Sequence, residues 1–136
     1  MSQSPNRLVA TIFGAVYLLV GLLGLFVAGT NVVGEEGALL LGVFQVNHLH
    51  NIVHLAIGAA LLLAGLRSTP AAKRVNVIVG AVYLLVGIVG FFIVDTPANI
   101  LALNTPDHFL HLGSAIVLLG VGLALDRDAA PRRAAV

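Results

Sequence analysis

The chain has 136 residues, of which 59% are hydrophobic and 10% charged, with a net charge of +1 and a mean hydropathy of +1.04. Soluble domains carry about 25% charged residues, and seven basic plus six acidic side chains cannot clothe so much aliphatic bulk in water. The soluble class is excluded in favour of an integral membrane protein embedded in the lipid bilayer. The absence of cysteine excludes disulfides, thiolate metal sites, covalent c-type haem attachment and Cys nucleophiles. Nothing in the charge pattern points to nucleic acid as a partner.

Four apolar stretches are long enough to cross about 30 Å of hydrocarbon, which takes roughly 20 helical residues. They cover 8–27, 47–66, 75–94 and 106–125. Thr105 followed by Pro106 reads as an N-cap with proline at the first helical position of the fourth. A barrel would need alternating polar and apolar residues, which these runs lack. The expectation is an all-α membrane protein, one membrane domain over 1–136 with a short tail at 126–136.

All seven basic residues fall on one side of this layout. Arg7 precedes the first span, Arg67, Lys73 and Arg74 lie between the second and third, and Arg127, Arg132 and Arg133 follow the fourth. The opposite loops hold Glu35, Glu36 and Asp95, with Asp107 close by. The positive-inside rule predicts cytoplasmic termini and a cytoplasmic middle loop. The first span reads as retained rather than cleaved, since its apolar run exceeds an ordinary signal core and has a close copy in mid-chain. The stretch 37–46 reads as a short interfacial helix, Phe91 and Phe92 as outer-interface anchors, and Arg132-Arg133 as a weak contact for anionic lipid.

The octapeptide GAVYLLVG at 14–21 recurs unchanged at 80–87. Asn47, His50, Asn51, His54 and Leu55 likewise correspond to Asn104, Asp107, His108, His111 and Leu112. The first offset is 66 and the second 57, so the first outer loop is nine residues longer. This pattern predicts a four-helix bundle made of two tandem parallel helical hairpins, about 7–66 and 73–125, related by an axis along the membrane normal. Gly14, Tyr17, Gly21, Gly24 and Ala28 lie within about 80° of one another on a helix. Gly80, Tyr83, Gly87 and Gly90 repeat the stripe. Small residues at this spacing read as a seam where helix backbones approach closely, with a cavity for a flat cofactor as the sharper alternative.

The five histidines, His48, His50, His54, His108 and His111, all lie at the outer ends of the second and fourth spans. His54 and His111 fall at nearly equal depth, roughly 9 and 8 Å along their helices. His50 with His54, and Asp107 with His111, are spaced four apart and share a helix face, while His48 points away. Three imidazoles and one carboxylate, His50, His54, His111 and Asp107, form a candidate site for a transition metal such as Zn, Cu or Fe. Asn47, Asn51, Asn104 and His108 are placed to orient those ligands. Haem is a variant, with His54 and His111 as axial ligands and Gly21 and Gly87 clearing space, although the outer side offers no Arg or Lys for propionates. Proton handling is a third use. Against all three stands a structural reading, in which the polar band satisfies helix ends and bonds helices together. No P-loop, GxSxG, HExxH or dinucleotide fingerprint occurs, so the chain reads as non-enzymatic. The first functional reading is a structural or accessory bundle packing with itself or a larger membrane complex through its glycine faces. Metal binding is the alternative.

The duplicated GAVYLLVG segments and the NxxxNxxHL and NxxxHxxHL starts of the second and fourth spans resemble a bacterial family of small four-helix membrane proteins, domain of unknown function 4383, common in high-GC Gram-positive bacteria. The resemblance runs from about Arg7 to Leu125. It implies a four-span plasma membrane protein, with His54 and His111 as the best-matching histidines, and it implies no activity.

Overall fold

The computed structural model describes residues 4–126, so Arg127, Arg132, Arg133 and the lipid contact expected of the last two lie outside the described residues. Four helices, α1 (Pro5–Val27), α2 (His48–Arg67), α3 (Thr69–Ile93) and α4 (Thr105–Ala124), are each long and apolar enough to cross a membrane. This is a multi-pass membrane protein. Its helices are apolar nearly all round, because the faces turned from the interior meet lipid instead of water. Leu19, Phe26, Leu63, Leu85, Phe92 and Ile116 are all exposed accordingly.

Local chemistry sets each helix start. Ser4 caps α1, accepting from the Arg7 N–H at 3.2 Å, and Pro5 follows in the first turn. Ser68 serves two helices at once. Its N–H donates to Ala64 O at 3.3 Å, ending α2, while its Oγ accepts from the Ala71 N–H at 3.3 Å, starting α3. The basic loop expected between the second and third spans is therefore one residue, and Lys73 and Arg74 stand on α3 itself. The cap of α4 is Asn104 and not Thr105. Its side chain accepts from the Asp107 N–H while the Asp107 carboxylate accepts from the Asn104 N–H, and this reciprocal pair satisfies two free donors where Thr105 would satisfy one.

The stretch expected as an interfacial helix is a β-hairpin, with β1 (Ala38–Leu40) pairing antiparallel to β2 (Phe44–Val46). Leu41 and Gly42 both take positive φ, 55° and 72°. Two successive left-handed residues cannot continue a helix; they form the turn closed by Val43 N–H to Leu40 O at 3.2 Å, within a three-residue loop, 41–43.

The helices pack pairwise, α1 on α2 and α3 on α4. A Cβ on Gly14 would meet the backbone of Leu62, one on Gly58 the backbone of Leu18, and one on Gly80 the backbone N of Leu119. Gly21 and Gly87 admit the side chains of Leu55 and Leu112, and Gly24 and Gly90 admit Asn51 and His108. The pairs meet in a core of Ala10, Tyr17, Leu61, Val79, Tyr83 and Leu118. At the end of the bundle where α1 starts and α4 ends, the buried Asn6 amide donates to Val121 O at 3.1 Å, to Leu125 O at 3.3 Å and to the Asp126 carboxylate at 3.0 Å. Asn76 donates to Asn6 Oδ1 at 3.0 Å, so three helices share one clasp.

Candidate metal centre

At the opposite end, two connections and the hairpin close over the starts of α2 and α4. Asn47 anchors this closure. Its Oδ1 accepts from the His50 N–H at 2.8 Å, and its amide donates to Gly34 O and Ile100 O at 3.0 and 2.9 Å, drawing both connections together. Asn104 donates to Val43 O at 2.8 Å, holding the hairpin turn. The Asp107 carboxylate accepts from the Gln45 N–H at 3.2 Å and the Asn104 N–H at 2.9 Å. Asn51 donates to Asn47 O at 2.9 Å with its ring-sized amide set over Gly24.

Beneath this layer three histidines converge. His50 and His54 stand one turn apart on α2, with ring centroids 4.5 Å apart. His111 of α4 lies 6.1 Å from His50 and 6.2 Å from His54. One ring nitrogen from each falls within 4.8 Å of the other two. All three residues are at most 5% exposed. Both ring nitrogens of His50, and Nδ1 of His54 and of His111, have no hydrogen-bond partner among the described residues. Leaving one such buried group unpaired costs about 1–3 kcal/mol, and four occur within a few ångströms.

Two tyrosines complete the pocket. The Tyr17 ring lies parallel to His54 at 5.5 Å and 8°, and Tyr83 stacks on His111 at 4.9 Å and 29°. Their rings meet each other edge-on at 5.5 Å, and both hydroxyls are buried without a partner. The sequence reading assigned these tyrosines to the packing seam. Their presence in both copies of the octapeptide, at the depth of His54 and His111, was the signal available for placing them in the site.

Of the residues expected as ligands, His50, His54 and His111 come together, whereas Asp107 is occupied at the α4 cap and the hairpin. Asn47 and Asn104 are caps. His108 sits apart, packed on Gly90 and on the Phe91 ring at 4.8 Å. His48 points away as expected, its ring meeting Gly29 O at 2.9 Å. The haem variant does not fit. The space left by Gly21 and Gly87 is filled by Leu55 and Leu112, and His50 stands against both proposed axial ligands. A single ion fits better, since bonds of about 2.0 Å to imidazole place ligand nitrogens roughly 3.3–3.5 Å apart, inside the 4.8 Å within which the three nitrogens lie.

A family model described as Domain of unknown function (DUF4383) matches residues 7–124. No curated protein and no solved structure matches the chain.

Proposed function

The chain belongs to the family Domain of unknown function (DUF4383), and from that premise we propose that it is a four-span plasma membrane protein that holds one transition-metal ion between α2 and α4 through His50, His54 and His111. The observation that carries this reading is the convergence of three buried imidazoles, one ring nitrogen of each within 4.8 Å of the other two, in a cluster where four ring nitrogens have no hydrogen-bond partner among the described residues. A purely structural polar band predicts the opposite. Asn47, Asn99, Asn104 and Asp107 behave as that band requires, each bonded to backbone; His108 and Asn51 Oδ1 lack partners as well, but only His50, His54 and His111 bring ring nitrogens together from two helices. Neutral imidazoles are good ligands for Cu, Zn and Fe, and facing helices of a bundle are a proven place to mount them.

Two further parts belong to the same reading. The chain is a doubled helical hairpin, supported by matching contacts in its two halves: Gly21 on Leu55 and Gly87 on Leu112, Gly24 on Asn51 and Gly90 on His108. The metal end faces the cell exterior, supported by the clustering of basic residues at the other end.

The test is purification in mild detergent without chelator, followed by metal analysis by mass spectrometry and a visible spectrum, for wild type and His54→Ala. About one metal ion per chain is expected in wild type and is lost in the variant. Folded wild-type protein that takes up no metal when offered it removes the reading, and a Soret band would replace it with haem.

A further inference from the structure

Resting on the three-histidine reading, we infer that the centre selects a monovalent ion, copper(I), over divalent zinc or copper(II). The inference comes from the charge of the surroundings. The three ligands are neutral, and the tyrosines stacked on them carry no charge while protonated. The only carboxylate buried in this part of the molecule among the described residues is Asp107, one helical turn from His111. Its oxygen accepts two backbone N–H groups, which suits the ionised form. Glu35 and Glu36 stand on the connection outside, where water solvates them, and do not enter the pocket.

One buried negative charge balances one positive charge. The cost of taking an ion out of water grows with the square of its charge, so a divalent ion costs about four times as much as a monovalent one of similar size. A divalent ion here would need a second anion. None is buried beside the three histidines among the described residues. Coordination number argues the same way. Zinc takes four ligands, and where the protein supplies three a water fills the fourth position; the cluster offers three under two buried tyrosine rings, which suits an ion that accepts three ligands.

The experiment is a competition on the full-length protein in detergent under anaerobic, reducing conditions. Copper(I), silver(I) as a redox-inert monovalent probe, and zinc(II) are offered separately and then against one another. The bound metal is counted for wild type, His54→Gln and His111→Gln, with helical content recorded for each. Copper(I) and silver(I) are expected to bind at about one per chain and to compete with each other, with zinc weaker by about 100-fold or more. Each glutamine variant is expected to lose both monovalent ions. Zinc bound as tightly as copper(I), and lost in the same variants, overturns the charge selectivity and leaves the three-histidine centre standing. Wild-type protein that binds none of the three ions overturns both. The wild-type competition decides the selectivity even if a glutamine variant fails to fold.

Discussion

Asp107 and His111 stand four residues apart on one helix face, and the sequence offers them as a matched ligand pair. The fold divides them. The carboxylate, at the first turn of α4, meets free backbone N–H groups that attract it, whereas His111 lies one turn deeper, where no such donors exist. Asp107→Ala is therefore expected to lower stability by about 1 kcal/mol, as loss of a helix cap does. It should also loosen the hairpin, since Gln45 loses its partner, and weaken copper(I) binding by about tenfold or more through loss of the balancing charge, without abolishing it. Thermal unfolding in detergent and metal analysis on the same sample check both halves. A carboxylate ligand would lose the metal as well. The histidine depth was legible in the spacing of residues 50, 54 and 111, but the division between capping and pocket groups was not, because Asn, Asp and His are equally polar in a string of letters. The stacked tyrosines escaped notice for a related reason: a residue on a glycine stripe packs against its neighbours whether or not one of them is a histidine.

Helices report their small residues in two kinds. Gly14 abuts the backbone of Leu62 and Gly80 that of Leu119, so an added methyl cannot be absorbed by a turning side chain. Gly14→Ala and Gly80→Ala are expected to cost about 1–3 kcal/mol each, as overpacking does. Nothing lies near a Cβ on Gly113 or Gly120. Alanine at either should stabilise α4 by about 0.5–1 kcal/mol, the ordinary gain in a helix interior. Unfolding midpoints for the four variants test the contrast. Spans were legible because twenty apolar residues admit few other structures in lipid. Their exact starts were not, since the choice between Asn104 and Thr105 depends on which side chain finds a second donor. The hairpin was hidden for a different reason. Residues 37–46 are apolar but for Gln45, so their period is silent, and the left-handed pair Leu41-Gly42 decides the outcome.

Over the whole molecule, the far end is held by polar closure. Burial would raise the Asp126 carboxyl, but hydrogen bonds from Ser4 and Asn6, with the charge of Lys73, hold it below the usual carboxylate range. A depressed folded-state pKa contributes stability that is present above the unfolded value and lost as pH falls through the folded one. The unfolding midpoint is thus expected to drop in acid below about pH 4, and Asp126→Asn should flatten that part of the profile. Detergent unfolding of the two proteins across the acid range measures it. This clasp was illegible in sequence, since Asn6 and Asp126 are separated by 120 positions and belong to neither repeated motif.

The same clasp orders biosynthesis. Asn6 is made before any of α2, α3 and α4, and its amide is satisfied by carbonyls of α4, 115 positions later. While the ribosome is still delivering earlier helices, this amide has no mate, and the nascent protein carries an open polar seam beside the translocon. Arrival of α4 shuts it, so the seam closes only once Val121 is in place, and a chain stopped short of Val121 leaves that seam open to membrane quality-control proteases.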